Sequence, residues 1–225
     1  MSENNVATRQ ESNKVWVSGI IDDEFEYSHE CYGEEFYKTR VKVSRLSGVE
    51  DYVPIIVSKI LIANILNDSV KGKRIEVGGQ FRSYNEIGAD NRFHLQLCVF
   101  AKSINIYQSD EEIEETNSNS IYLDGFICKP PVFRETPFGR QITDLLIAVN
   151  RDYNKSDYIP CIAWGRSALY LSDCKVGDRL QLEGRIQSRE YFKRNSADSE
   201  EGEYRVAYEV SITNFLKLEA ENSED

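Results

Sequence analysis

The sequence predicts an all-β protein that consists of two copies of one five-stranded unit. Three observations indicate this fold class: similar residues recur at one fixed spacing, apolar and polar residues alternate within each copy, and a short acidic segment separates the copies. The chain has 225 residues, which suits one or two domains of ordinary size, each able to bury a core.

The duplication is visible because a single shift of 106 residues aligns three separate segments. These are 15–21 with 121–127, 41–45 with 147–151, and 52–57 with 158–163. After a gap of one residue Gly79 falls on Gly184, and Val99 falls on Ile212 at a spacing of 113. Collinear similarity over so many segments indicates a repeated structural unit.

Each copy reads as five β-strands, because its apolar residues alternate with polar ones. In the second copy the apolar positions include 121, 123 and 127; 145, 147 and 149; 180, 182 and 186; and 208, 210 and 212. A short helix is predicted between the third and fourth strands, near 58–67 and 167–171, and the glycines within the strands (19, 79, 125 and 184) mark bulges or bends. This order of elements is that of the OB-fold, a barrel that binds oligonucleotides and oligosaccharides. The prediction is two tandem OB-fold barrels.

The distribution of charge sets the domain boundaries. A net charge of −11 argues, taken alone, against a nucleic-acid partner, but eight of the eleven excess charges lie in segments 109–120 and 217–225. The predicted organisation is a disordered N-terminus (1–13), a first OB-fold (14–108), an acidic linker (109–120), a second OB-fold (121–216) and a short acidic tail (217–225).

Several classes of protein are excluded by what the sequence lacks. No apolar run approaches the roughly 18 residues of a membrane span, and the N-terminus lacks the pattern of a signal peptide, so we expect a cytoplasmic protein without a membrane partner. The five cysteines form no metal-binding pair and suit reduced thiols. Neither a phosphate-binding loop nor a nucleophile motif is present. The expectation is a binding protein, with no enzymatic activity, metal site or cofactor.

Aromatic and basic residues are interleaved in the second copy, the pattern expected of a surface that stacks bases and contacts the phosphates of a single strand. The candidate binding residues are Lys129, Phe133, Arg134, Phe138, Arg140, Arg151, Tyr153, Lys155, Tyr158, Trp164, Arg166, Arg185, Arg189, Tyr191, Lys193 and Arg194. For a single ring such as Trp164, a place in the hydrophobic core is an equally good interpretation. The set as a whole favours nucleic acid.

The second copy also resembles the OB domain of bacterial single-stranded DNA-binding proteins. The resemblance is carried by Ile121-Tyr-Leu-Asp-Gly-Phe-Ile127, Arg134-Glu-Thr-Pro-Phe-Gly139, Ala148-Val-Asn-Arg151, Ile159-Pro-Cys-Ile-Ala-Trp-Gly165, Lys175-Val-Gly-Asp-Arg179, Glu183-Gly-Arg-Ile-Gln-Ser-Arg-Glu-Tyr191 and Tyr208-Glu-Val-Ser-Ile212. It implies four aromatic residues that stack on DNA, and the matching positions are Tyr153, Tyr158, Trp164 and Tyr191.

The first copy departs from this pattern. At the four stacking positions it has Ser47, Tyr52, Ser58 and Glu86, and seven carboxylates precede Lys38 in the loop after its first strand. We therefore expect a degenerate barrel that serves as a partner or assembly module, since carboxylates repel a polyanion. Its other aromatic residues, Tyr27, Tyr32, Tyr37, Phe81 and Tyr84, together with Tyr52, offer an auxiliary surface.

The expected function is sequence-independent binding and protection of single-stranded DNA in replication, recombination or repair, near the nucleoid. The family resemblance implies four OB-folds per assembly, which a homodimer of this chain would supply. RNA as the ligand stays open, because stacking does not read the 2′-hydroxyl. An alternative is a primosome-like or mobile-element accessory protein that uses its OB surfaces to dock proteins; an oligosaccharide site is the weakest alternative. The final residues, Leu218–Asp225, lack the Asp-Ile-Pro-Phe tip through which the family recruits replication and repair proteins.

Overall fold

The computed structural model describes residues 11–87, 91, 93–107, 119–194 and 202–219, with the backbone alone for 193 and 194. The elements of the first half are β1 (Asn13–Ile21), β2 (Glu26–Cys31), β3 (Glu34–Ser44), β4 (Glu50–Ser58), α1 (Lys59–Ile62), β5 (Arg74–Ile87) and β6 (Phe93–Tyr107). Those of the second half are β7 (Asn119–Ile127), β8 (Val132–Glu135), β9 (Gln141–Asn150), β10 (Ser156–Trp164), α2 (Arg166–Ser172), β11 (Arg179–Arg194) and β12 (Gly202–Leu218). Most of the predicted linker and of the predicted terminal segments lies outside the described residues.

Each half closes into a barrel through the same set of strand pairs. In the first half β1 pairs with β3 and β5, β3 pairs with β4, β5 pairs with β6, and β4 runs parallel to β6. The second half repeats these pairs with β7, β9, β10, β11 and β12. The helices α1 and α2 follow the third strand of each barrel. The prediction of two OB-fold barrels is confirmed, and β2 and β8 are additional edge strands that pair with β3 and β9.

The predicted alternating positions form the hydrophobic core. Val15, Val17 and Ile21 of β1 are buried, as are Ile121, Leu123 and Ile127 of β7. Two positions differ from the prediction. The alternation of the first copy continues through 95, 97 and 99, but Leu95 is exposed on β6. Phe81 is completely buried, so the interpretation of Phe81 as part of a binding surface is wrong. Its ring fills the first barrel.

Gly79 and Gly184 lie at the register irregularities that the sequence predicted, opposite an extra residue in the partner strand, Lys102 in β6 and Thr213 in β12. The strand register shifts between Gly78 and Gly79 in β5, and between Glu183 and Gly184 in β11. A Cβ atom at either glycine would collide with a backbone carbonyl of the neighbouring strand. A bulge bends a strand sharply and increases its twist, which lets one long hairpin close the barrel and continue beyond it.

The strand register corrects the spacing of the last strand of the repeat. Ile55 pairs with Val99 in the first barrel, and the equivalent residue Cys161 pairs with Val210 in the second. The spacing of the last strand is therefore 111, and the alignment of Val99 with Ile212 is wrong by two residues. The error arose because a shift of two preserves the alternation of a strand, so the apolar pattern cannot detect it.

Strands β1 and β7 join the two barrels into one twelve-stranded sheet within the described residues. They pair antiparallel with Val15 directly opposite Ile121, its own counterpart in the repeat. Asn13 lies opposite Leu123, and Val17 lies opposite Asn119. This register makes the two barrels a pseudo-twofold pair about the Val15–Ile121 position.

The long hairpins of both barrels reach over to the other barrel in equivalent ways. In the β11–β12 hairpin, the backbone N–H of Ser188 donates to Oδ1 of Asp51 in the first barrel, with an N to O distance of 2.8 Å. In the β5–β6 hairpin, the backbone N–H of Ser83 donates to Oδ1 of Asp157 in the second barrel at 2.7 Å. Both aspartates are almost fully buried. The contacts between the barrels therefore follow the same pseudo-twofold relation. None of the helices in the described residues has the length and apolarity that crossing a membrane requires.

Candidate nucleic-acid interface

Three of the four predicted stacking residues are exposed on β10 and in the turn that precedes it. Tyr158 and Trp164 lie on the outer face of β10, with 47% and 39% of their surface exposed. They are six residues apart, or about 20 Å along a strand. Tyr153 lies in the turn just before β10 and is 95% exposed. The interpretation of Trp164 as a core residue is therefore wrong.

The face of β10 follows from its alternating sequence. Ile159, Cys161 and Ala163 point into the barrel and are buried, so Tyr158 and Trp164 point outward. Burial of its thiol raises the pKa of Cys161, so this group stays a neutral part of the core. Strand β9 pairs with β10 along its whole length and supports the aromatic residues from one side.

Tyr153 is held in an unusual backbone conformation. It has φ 62° and ψ 33°, and the next residue, Asn154, also has a positive φ of 55°. The turn is closed by the backbone N–H of Arg151, which donates to the carbonyl oxygen of Lys155 at 2.8 Å. A left-handed conformation costs a bulky residue about 1–3 kcal/mol. The structure thus keeps a strained tyrosine whose ring lies in solvent.

Tyr191 is separate from the other three aromatic residues. It lies in the β11–β12 hairpin beyond Ser188, the residue that contacts the first barrel. The Arg189 guanidinium lies 5.7 Å from the centre of the Tyr191 ring, and Phe192 packs edge-on against Tyr204. Tyr191 therefore belongs to an aromatic and basic extension of the hairpin rather than to the face of β10.

The basic candidates fall into two groups. Arg134 and Arg151 form ion pairs, Arg134 with Asp144 at 2.6 Å and Arg151 with the buried Asp157 at 3.3 Å. The second group is exposed and has no ion pair within the described part of the chain; it comprises Lys129, Arg140, Lys155, Arg166 and Arg189. Cations without a carboxylate partner remain available for phosphate.

The remaining candidates lie on β8, on the β8–β9 turn and on β11. Arg134 lies opposite Ile142, which in turn lies opposite Trp164, so Arg134 shares the outer face of β10. Phe133, one residue earlier, points to the other side, and Phe138 is 92% exposed at the tip of the β8–β9 turn. Arg185 is half-buried in β11 and its Nε atom has no hydrogen-bond partner. Lys193 and Arg194 have no described side chain.

The corresponding face of the first barrel is neutralised by its own carboxylates. Tyr52, the counterpart of Tyr158, donates its hydroxyl to Glu50 at 3.0 Å, and the Lys42 ammonium lies 3.2 Å from the same carboxylate. Lys42 and then Tyr52 lower the pKa of Glu50. The guanidinium of Arg40 contacts Asp22 and Asp23 and lies 5.7 Å from the centre of the Tyr52 ring. Tyr84, the other auxiliary candidate, is 45% exposed and lines a groove with Arg40.

One feature of the site could not be read from the sequence: a groove of about 840 Å³ between the barrels. The second barrel contributes Arg151, Tyr153 and Lys155, and the first contributes Arg82 and Lys102. Only the meeting of the two barrels brings these residues together.

Comparison with known proteins agrees with this geometry. Residues 118–218 match the family model described as the single-strand binding protein family. Over 111 residues, which is 46% of this chain and 61% of the relative, the sequence is 29% identical to single-stranded DNA-binding protein A of Bacillus subtilis. Over 108 residues it is 31% identical to single-stranded DNA-binding protein 1 of Streptococcus pyogenes, covering 45% of this chain and 78% of that protein. The chain belongs to the single-strand binding protein family.

A solved structure extends the comparison to both barrels. The wild-type single-stranded DNA-binding protein of Thermus aquaticus superimposes with a TM-score of 0.71 at 18% identity, covering 95% of this chain and 96% of that one. At this identity the likeness concerns the fold alone. The chain spans 61–66% of the length of several curated relatives that it matches.

Proposed function

We propose that this protein binds single-stranded DNA without sequence preference, on the outer face of β10 and the adjoining turns. The observation that carries the proposal is the succession of exposed aromatic residues Tyr153, Tyr158 and Trp164 in β10 and the turn before it, together with exposed cations of the same barrel. The relatives named single-stranded DNA-binding proteins support DNA as the ligand. RNA is the alternative ligand, because the same stacking surface accepts it.

Affinity comes from two terms in this proposal. Each base that stacks on an aromatic ring contributes about 1–3 kcal/mol, and every base has a face that can stack, so the sequence is not read. Phosphates contact the cations of the second barrel, among them Lys155, Arg140 and Arg166, and release counterions. The protein carries out no reaction; it covers and protects the strand, in the cytoplasm, during replication, recombination or repair.

We further propose that the first barrel is chiefly an assembly module and that the chain forms a homodimer with four barrels. Three apolar side chains on the outer face of the joined sheet, Trp16, Ile20 and Phe126, are 36–41% exposed. They lie on β1 and β7, on both sides of the pseudo-twofold position. A second copy can cover such a face with its own equivalent face in a twofold arrangement. Light scattering should give twice the chain mass, and Trp16→Glu should give the single mass.

Titration with a dT oligonucleotide tests the binding proposal. Tyrosine and tryptophan emission should be quenched, and the affinity should fall as salt rises. Replacing Tyr153, Tyr158 and Trp164 together by alanine should weaken binding by at least about 100-fold. The competing function, docking of proteins as an accessory factor, predicts no quenching by the wild-type protein at low salt.

A further inference from the structure

The pseudo-twofold relation creates two equivalent junctions between the barrels, and their charges differ. In the first, which we name the Arg82 junction, the β5–β6 hairpin meets the β9–β10 turn. In the second, the Gln187 junction, the β11–β12 hairpin meets the β3–β4 turn. Arg82 and Gln187 are counterparts, because Arg82 pairs with Cys98 and Gln187 with Glu209 at the same place in the two hairpins.

The Arg82 junction has an excess positive charge. Arg82 and Arg151 both act on the single carboxylate of Asp157, which is fully buried. Oδ2 of Asp157 and Nε of Arg151 make no hydrogen bond. Two guanidinium groups share one carboxylate, so one positive charge is not neutralised there.

The Gln187 junction has the opposite balance. Its buried ion pair is Arg45 with Asp51, which is bidentate, with distances of 2.6 Å and 2.5 Å. The neutral Gln187 donates its side-chain amide to Glu209 at 2.7 Å, and Glu209 acts on Arg45. Here two carboxylates share one arginine. The same fold position is therefore cationic at one junction and anionic at the other.

Arg82 is held in a position suited to an anion. Its guanidinium lies 4.0 Å from the centre of the Phe100 ring and donates to Oε1 of Gln80 at 2.9 Å. Within the described residues no carboxylate forms an ion pair with it. Burial and then the neighbouring Arg151 lower the pKa of Arg82 from its ordinary value. A planar guanidinium that is fixed by stacking and forms no ion pair binds phosphate well.

The Arg82 junction adjoins the strained tyrosine. Arg82, Lys102, Tyr153 and Lys155 line the same groove. Lys102 has one competing partner, Glu11, at 2.5 Å. At the Gln187 junction the counterparts of Arg82, Tyr153 and Lys155 are Gln187, Ser47 and Val49. Cations and an exposed aromatic ring thus coincide at one junction and are missing at all three corresponding positions of the other.

We propose that the first barrel contributes Arg82 to the binding of single-stranded DNA, as a phosphate contact for the strand that leaves Tyr153 and crosses from the second barrel to the first. This inference rests on the proposed function and adds a ligand contact from the barrel whose own face is neutralised. Lys155 binds the same stretch of backbone from the other side of the groove.

Salt titration of dT binding with two neutral replacements tests this inference. Arg82→Gln introduces the residue that the chain itself has at the equivalent position, and Arg82→Met keeps an apolar contact with Phe100. Both should reduce the slope of log K against log salt by about 0.7 in magnitude, the loss of one phosphate contact on a single strand. Affinity at moderate salt should fall about tenfold. The matched control is Lys42→Gln, which removes an ion-paired cation of the first barrel.

The outcomes separate this inference from the proposed function. A reduced slope in both Arg82 variants with an unchanged slope in Lys42→Gln supports the contact. An unchanged slope in the Arg82 variants, while the wild-type protein binds, overturns the contact and leaves the proposed function intact. An equal reduction in all three variants also overturns it, because the effect is then one of net charge. Absence of wild-type binding overturns both. Circular dichroism and gel filtration establish that each variant is folded.

Discussion

The two barrels have the same strand order and equivalent core positions, but their surface cations differ in whether they form ion pairs. On the first barrel the cations of β3 and of helix α1 each contact a carboxylate; the pairs are Lys38 with Glu26, Arg40 with Asp23, Lys42 with Glu50, and Lys59 with Glu35. On the second barrel, Lys129, Arg140, Lys155 and Arg166 are exposed and have no such partner among the described residues. The scaffold is therefore common to both barrels, whereas these cations are neutralised on the first barrel and, in the part of the chain that the structure describes, unpaired on the second.

The ion pairs of the first barrel change its surface electrostatic potential more than they change its folding stability. Each exposed pair contributes only about 0–1 kcal/mol to folding, because water screens both charges. Their larger effect is to cancel the positive field that would attract phosphates.

The largest expected difference between the barrels concerns their two buried aspartates. Asp51→Asn should destabilise the protein by about 3–5 kcal/mol, because it breaks a buried bidentate pair and removes the only ion-pair partner of Arg45 among the described residues. Asp157→Asn should cost less, about 1–2 kcal/mol, because one of its carboxylate oxygens makes no hydrogen bond. Urea unfolding of both variants measures the difference. Equal losses would contradict the asymmetry between the junctions.

The next effect concerns two tyrosines at equivalent positions. Tyr158→Ala should weaken dT binding by about 1–3 kcal/mol, since it removes an exposed stacking ring. Tyr52→Ala should change affinity by less than about twofold, because that ring is engaged by Arg40 and Glu50. Fluorescence titration at one salt concentration compares them. If Tyr52→Ala weakens binding as much as Tyr158→Ala, the first barrel also binds bases.

A smaller effect is expected from replacing Tyr153, which should raise the stability of the fold and weaken DNA binding. Asparagine adopts the left-handed conformation more readily than tyrosine, so Tyr153→Asn should stabilise the fold by about 0.5–1 kcal/mol. The same change removes a stacking ring and should weaken dT binding. Ser47→Asn, at the equivalent position of the first barrel, is the control and should leave binding unchanged. A loss of stability in Tyr153→Asn would show that the ring packs against the protein and is not free to stack on a base.

The repeated fold was predictable because its signals are local and occur twice. Alternating apolar residues, bulge glycines and one constant spacing identify five strands and a helix in each copy. The last strand was misaligned by two residues because alternation is insensitive to that shift. The alternation of the buried Ile75 and Val77 continues to Phe81, so the inward face of Phe81 was predictable, and only its aromatic character suggested a binding surface.

The candidate site was predictable only where it is built from one segment. Tyr153, Tyr158 and Trp164 lie within twelve residues of sequence; the last two share the outer face of β10, and Tyr153 lies in the turn before it. Arg82 could not be found this way, since it lies about seventy residues earlier and reaches the site only through the pairing of β1 with β7. The difference between the junctions also needs the structure, because it compares residues that face each other across the two barrels.

The smallest expected effect is a difference in how two aspartates, one in each barrel, respond to acid. Burial raises the pKa of Asp157, so its protonated form is favoured by folding. The hydrogen bond from Arg40 lowers the pKa of Asp23, so its ionised form is favoured instead. As pH falls from about 7 to about 3, the wild-type protein should therefore gain stability relative to Asp157→Asn and lose stability relative to Asp23→Asn. The gain in stability begins at a pH above the ordinary carboxyl pKa, whereas the loss of stability occurs at a pH below it. Urea unfolding of the three proteins across this range measures both trends, and two curves of the same sign would contradict the assignment of a buried, poorly paired carboxylate to the Arg82 junction.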